Sequence, residues 1–274
     1  MINSIALICI AAAVLCLIVI ALYEGLTVRE YTVRTVKVKK EHTFALITDL
    51  HSTLYGKSQE KLTEKILSFS PEAIFFSGDI VDDRRDFDSV RMLLNSVAKS
   101  IPCYYVAGNH ERCIAYADDI KKQISECGVN VISNISANLG DNIVLYGIDD
   151  PLYYINAGEE DNIDAKFKEA LNKLSPKEQN YNILLSHRPE FAPEYGSFGF
   201  DLALCGHAHG GQVRLPYIIN GLYAPHQGLF PKYAGGKYSF ENGRDVIVSR
   251  GLMKNILPRV FNPPELVIVK IKTE

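Results

Sequence analysis

The chain has 274 residues, 47% of them hydrophobic and 22% charged, with a formal net charge of −3. These proportions exclude a disordered, collagenous or low-complexity chain and leave room for one full-sized domain plus an appended segment. The slight acidic excess gives no support to a broad nucleic-acid surface, and the six cysteines form no CxxC pair, so neither a zinc knuckle nor a thioredoxin-like motif is written here.

The first element is the uncharged run from Ile5 to Tyr23, IALICIAAAVLCLIVIALY. A helix of about 20 apolar residues spans a bilayer core of about 30 Å. A helix of a soluble domain would show a polar face, and this run has none. A cleaved signal peptide would carry a Lys or Arg before the run and a small-x-small site after it. Met1–Ser4 has no basic residue, and Ala21-Leu22-Tyr23 is a poor site. The expectation is therefore a single-pass transmembrane anchor over residues 1–26, contacting the lipid bilayer, followed by one domain over 27–274. Arg29, Arg34, Lys37, Lys39 and Lys40 follow the span. The positive-inside rule then places the domain on the cytoplasmic side. The same segment also reads as a first strand, with Val36 and Val38 inward and Lys37 and Lys39 in water.

From residue 43 onward, short apolar runs alternate with helical patterns. Strands are expected at 43–48, 73–76, 103–106, 143–147, 182–186, 202–205, 246–249 and 266–270, and helices at 59–68, 86–98, 115–127 and 164–174. Such alternation argues for an α/β fold of sheets covered by helices.

Five of these strands end in chemistry-bearing residues. The first ends in Asp49-Leu50-His51, and spacing two points both side chains the same way. The second ends in Gly78-Asp79, with Asp82 three further on; the cluster of Asp82, Asp83, Arg84, Arg85, Asp86 and Asp88 reads as a solvated helix start rather than a second site, with Asp82 able to tie the loop down. The third ends in Gly108-Asn109-His110-Glu111, the fourth in His187-Arg188, and the fifth in Gly206-His207-Ala208-His209-Gly210-Gly211. Each alone is as well explained by a cap or a turn. Together they put Asp, Asn and His at the edge where α/β sheets bind ligands. Five of the seven histidines fall in these motifs; His42 and His226 do not, and no metal role is expected of them. The donor set is enough for two metal ions and more than one tetrahedral ion needs.

In order, DLH, GDIVD, GNHE, SH and GHAHGG resemble the five blocks of the calcineurin-like metallophosphoesterases, over roughly residues 43–272. The resemblance implies a four-layer αββα sandwich with a dinuclear centre between its sheets. It implies one metal on Asp49, His51, Asp79 and His209, and another on Asp79, Asn109, His187 and His207, with Asp79 bridging. His110 would act near the leaving group. The flanks DLHSTLYGKSQ, GGQVRLP, GLYAPHQGLFPKY and SRGL…LPRVFNPPEL resemble the small membrane-anchored bacterial branch, similar to enzymes that cleave UDP-2,3-diacylglucosamine in lipid A synthesis.

The implied reaction is hydrolysis of a phosphodiester or pyrophosphate, expected in a lipid-linked substrate, by in-line attack of a metal-bound hydroxide. A phosphomonoesterase or protein phosphatase is the alternative, and a non-catalytic metal-binding scaffold is an alternative of another class. Mixed His, Asp and Asn donors suit manganese, iron or zinc. Arg188, Arg250 and Arg259 are candidate phosphate cations, because a guanidinium fork fits phosphate. No nucleic-acid partner is expected. The stretch from Glu111 to Ser186 is too short for a cap insertion, so the site is expected to be open, with Tyr153, Tyr154, Leu222, Tyr223, Leu229 and Phe230 as lipid-side contacts.

Overall fold

The computed structural model describes residues 2–82, 85–114, 117–156, 158, 162–241, 243–254 and 258–274. Asp83 and Arg84 of the charged cluster, the start of the helix expected at 115–127, and Leu257 of the last flank lie outside the described residues.

Two six-stranded sheets form the body. The first contains β1 (Thr27–Thr35), β2 (His42–Ile47), β3 (Ala73–Ser77), β4 (Cys103–Val106), β5 (Asn130–Val131) and β14 (Glu265–Thr273), in the order β1-β14-β2-β3-β4-β5. The second contains β6 (Ser136–Gly140), β7 (Ile143–Gly147), β8 (Tyr181–Leu185), β9 (Leu202–Cys205), β12 (Gly236–Ser239) and β13 (Asp245–Val248), in the order β12-β13-β9-β8-β7-β6. The intervening helices are α2 (Glu60–Leu67), α3 (Asp88–Val97), α4 (Asn109–Cys113), α5 (Ala117–Glu126), α6 (Ile163–Leu174) and α7 (Ala192–Ser197). A two-stranded hairpin, β10 (Tyr223–Ala224) with β11 (Gly228–Leu229), stands apart from both sheets.

Strand periodicity explains the layering. Side chains two apart share a face. In β2, Phe44 and Leu46 pack into the core between the sheets, while Ala45 and Ile47 pack under α2 and α3. In β9, Leu202 and Leu204 enter the same inter-sheet core, while Ala203 and Cys205 face the layer of α6 and α7. Both faces of each sheet are thus covered, which is why these strands read as continuous apolar runs rather than alternating ones. The result is helix, sheet, sheet, helix. Each fully buried Leu, Ile or Phe in these layers contributes about 1.5–3 kcal/mol of apolar transfer.

Two sequence expectations change. The first strand ends at Thr35, and a turn follows. That turn leaves Val36 79% exposed and buries Val38, while Lys37 pairs with Asp201 at 2.8 Å. Alternation inferred across residues 34–40 was broken by this turn. Tyr153 and Tyr154, expected to be open to lipid, are half-buried and pack against the two helix-side cores.

The apolar run forms α1 (Ile2–Ala21), with no acidic or basic residue in its end turns. By length and composition it is long enough to cross a membrane. Its last residue accepts a hydrogen bond from the Phe261 amide at 2.6 Å.

Candidate metal centre

The ends of β2, β3, β4, β8 and β9 meet at one edge of the sandwich. Just beyond them the backbone turns sharply. Asp49, His51, Asp79, His207 and His209 all have positive φ, between 45° and 68°. That region is sparsely used by residues with a Cβ, and each costs about 1–3 kcal/mol. Hydrogen bonds hold the turns. The His51 amide donates to the Asp79 carbonyl at 3.0 Å, and the His207 amide to Asp49 Oδ1 at 2.9 Å. Glycine is required where chains touch: a Cβ on Gly108 would lie 2.2 Å from Asp79 Oδ1, and one on Gly206 2.4 Å from Asp49 Oδ2.

The side chains gather into two groups that share Asp79. Asp49, His51, Asp79 and His209 present ligand atoms within 4.8 Å of one another, as do Asp79, His187 and His207. Asp79 Oδ2 lies 3.1 Å from His187 Nε2 and 3.7 Å from His51 Nε2. Asp49 Oδ1 lies 3.5 Å from His209 Nε2. Asn109 begins α4 close by. The ring of His110 is half-buried, 4.5 Å from that of His51, and its amide donates to Asp79 Oδ1 at 2.8 Å.

The donors fit divalent cations. His51 Nε2, His187 Nε2 and Asn109 Oδ1 are buried without a well-formed hydrogen bond. A buried unsatisfied polar atom costs about 1–3 kcal/mol, and the two imidazole nitrogens beside Asp49 and Asp79 form a cradle for positive charge. The electrostatics agree. Burial disfavours the His187 imidazolium, but Asp79 and Asp49 outweigh it and lift the group to about 10. Burial alone would raise the Asp79 carboxyl; the surrounding His187, His51 and His110 hold it well below the usual range. Burial pushes His209 down to about 4 and lowers His207 well below its ordinary value. Those two rings are neutral, the form that ligates metal.

Neighbouring groups orient the ligands. His187 Nδ1 lies 2.8 Å from the Ser77 carbonyl, so Nδ1 carries the proton and Nε2 is aimed at Asp79. His207 Nε2 lies 3.0 Å from His226 Nδ1, and Glu190 joins them within 4.8 Å. No role near the metals was expected of His226. It sits between β10 and β11, outside every strand-end motif; the one sequence signal was its place in the flank GLYAPHQGLFPKY. Glu111 was also unassigned. Its buried carboxylate accepts amides from Asp79, Ile80, Val81 and Gly108 at 2.7–3.0 Å. The readable signal was Glu three residues after Gly108, the spacing of a capping box.

The three arginines are a correction. Arg188 is 2% exposed and bonded to both carboxylate oxygens of Asp150 and, at 3.0 Å, to Glu190. Arg250 Nε holds Glu265 at 2.6 Å. Arg259 is fully buried and donates to the carbonyls of Met253 and Gly251 at 3.0 and 3.4 Å. The fork that fits phosphate also fits carboxylate and carbonyl, and here those partners take it. His42 lies apart from the site, 3.0 Å from both Glu72 and Asp141. Asp82 is buried 3.5 Å from His51 Nδ1, and Arg85 donates to the His51 carbonyl at 2.9 Å, so neither is simply a solvated helix start.

The chain resembles proteins of known families in the same region. The model of the calcineurin-like phosphoesterases matches residues 42–211. An uncharacterized metallophosphoesterase of Campylobacter jejuni is 29% identical over 89% of this chain and 63% of its own length. A phosphodiesterase of Escherichia coli is 26% identical over 73% of this chain and 70% of its own. A UDP-2,3-diacylglucosamine pyrophosphatase of Chlamydia muridarum is 24% identical over 82% of each. The chain thus spans less than two thirds of the Campylobacter relative. The match over residues 42–211, which include every metal-ligand candidate, makes this chain a member of the calcineurin-like phosphoesterase family.

Proposed function

We propose that the protein is a membrane-anchored, dinuclear-metal phosphoesterase that hydrolyses a phosphodiester or pyrophosphate bond in a lipid-linked substrate. The observation that carries the chemistry is Asp79, shared between two clusters of ligand atoms. Two divalent cations of the manganese, iron or zinc class would supply charge to the phosphoryl oxygens and acidify a water at the site.

The chain's own residues do the rest. Asp49, His51, Asp79 and His209 hold one cation; Asp79, Asn109, His187 and His207 hold the other. Asp79 keeps the pair together. Ser77 fixes the tautomer of His187. His110, half-buried beside His51, gives a proton or a hydrogen bond to the leaving oxygen.

The lipid-linked substrate is supported by α1, whose uncharged length suits a bilayer. It is also supported by the relatives named as a phosphodiesterase and as a pyrophosphatase of a diacylated sugar nucleotide. The five basic residues at 29–40 favour the cytoplasmic side.

The test uses the full chain in detergent, stripped of metal and reloaded with manganese or zinc. Cleavage of bis-p-nitrophenyl phosphate is compared with that of p-nitrophenyl phosphate. Metal-dependent cleavage of the diester, lost in Asp79→Asn, is the expected result. A preference for the monoester would replace this reading with a phosphatase, and turnover that survives Asp79→Asn would remove the dinuclear site from the mechanism.

A further inference from the structure

A cleft of about 600 Å³ opens beside the base of α1, lined by Arg29, Arg214 and Arg250 and bordered by the loop 215–218. Phe261 also lines it, and the Phe261 amide is bonded to Ala21, the last residue of α1. The cleft therefore sits where the apolar helix leaves the domain. Its rim is unusual. Tyr217 is 108% exposed and Ile218 79% exposed, beside exposed Leu215 and Pro216. Contiguous apolar exposure of this kind marks an interaction surface.

The cations converge for a structural reason. A Cβ on Gly235 would lie 2.6 Å from Arg250 Cγ and 3.2 Å from Arg214 Nη1, so a bare backbone is what lets the two side chains approach. Arg214 donates to neutral groups, the Gly210 carbonyl and the Asn220 amide oxygen. Glu30, the carboxylate lining the cleft, is engaged by Lys270, and Glu265 behind it holds Arg250. With Arg250 paired to Glu265, the cations left to face the cavity are Arg29 and Arg214.

We propose that this cleft receives the phosphate of an anionic phospholipid headgroup, with loop 215–218 lying in the bilayer surface. Guanidinium groups bind phosphate oxygens in pairs, and Tyr beside aliphatic residues suits the headgroup level. The anion that α1 brings to this place is the headgroup of the surrounding lipid. The inference rests on the membrane anchoring proposed above and gives it a consequence. Arg214 is bonded to Gly210, the neighbour of His209, so a docked bilayer surface lies within a few residues of the candidate metal centre. A lipid-linked substrate would then reach the metals without leaving the membrane plane.

The test places a photocross-linker in the full chain reconstituted into vesicles of phosphatidylcholine with phosphatidylglycerol. Ile218→p-benzoylphenylalanine reports the rim, and Leu15→p-benzoylphenylalanine reports α1. Lipid adducts at both positions are expected. At position 218 phosphatidylglycerol should be captured about fivefold in excess of its share, the factor one cation near an anionic surface supplies. Arg214→Gln and, separately, Arg29→Gln should remove that excess; Arg29 is exposed, so its variant keeps the test open if the other fails to fold. An adduct at Leu15 without one at Ile218 overturns the docking and leaves the anchor. No adduct at either overturns the anchor and the docking with it. An adduct at 218 without headgroup preference overturns the anion site. An excess abolished by inorganic phosphate reassigns the cleft to a free anion and overturns the lipid reading.

Discussion

Glu111 and His226 both hold residues of the candidate metal centre, and they should fail differently. Glu111 accepts four amides in the turns that carry Asp79 and Asn109, although burial and the Asp79 charge raise its pKa. Gln in its place keeps the shape but loses the charge and part of the acceptor capacity. Glu111→Gln should cost about 2–3 kcal/mol, as for lost hydrogen bonds to a charged group. In a domain of this size that lowers Tm by about 4–12 °C, readable by thermal unfolding. His226 is exposed and lies 3.0 Å from His207 Nε2. Replacing it should leave Tm of the metal-free chain almost unchanged and weaken metal retention by about 10–100-fold. Metal analysis after dialysis would show the loss in His226→Ala and partial recovery in His226→Asn, which keeps a hydrogen-bonding side chain. Unchanged metal content in the alanine variant would show that His207 needs no such partner.

At the scale of elements, one contact between the sheets is sensitive to acid. Asp141, in the turn between β6 and β7, accepts from His42 Nε2 at 3.0 Å and from the Lys39 amide at 2.8 Å, joining the second sheet to the loop before β2. Its pKa is lowered first by the His42 hydrogen bond, against a desolvation that raises it. A carboxylate depressed in the folded state stabilises above its ordinary pKa, about 4, and the effect disappears as pH falls through the lower folded value. Asp141→Asn should therefore be less stable than the wild type at neutral pH, and the two should converge in acid. A difference independent of pH would mean that the amide geometry, not the charge, matters. This contact also shows what could be read beforehand. The strands β2, β3, β4, β8 and β9 were legible because burial on both faces makes apolar runs, and their tips were legible because ligand residues follow at fixed spacing. The pairing of β1 with β14 was not, since it joins residues 27–35 to 265–273 and leaves no local pattern. Arg188 was misread because residue type cannot tell a phosphate from Asp150. The Ser77 carbonyl that orients His187 has no sequence signature at all.

At the scale of the molecule, the candidate metal centre is also a clasp. Asp49, Asp79 and Asn109 follow strands of the first sheet, while His187, His207 and His209 follow strands of the second. Cations bound across this edge tie the two sheets together outside their shared apolar core. Ligands that bind only the folded state stabilise it by mass action, about 2.7 kcal/mol at a hundredfold excess over Kd. Removing metal with a chelator should lower Tm by about 5–11 °C, at about 2–4 °C per kcal/mol for a domain of this size. Readdition of manganese or zinc should restore it. The metal-free chain should still fold, because most of its apolar core, including the whole cluster between the two sheets, is built from strand and helix residues rather than from the ligand turns. Asp79→Asn, which removes the shared carboxylate, should abolish the metal-dependent rise while leaving a cooperative transition. A rise that persists in Asp79→Asn would place the stabilising ions elsewhere in the molecule. Complete unfolding on chelation would mean that the clasp, rather than the apolar layers, holds the sandwich together.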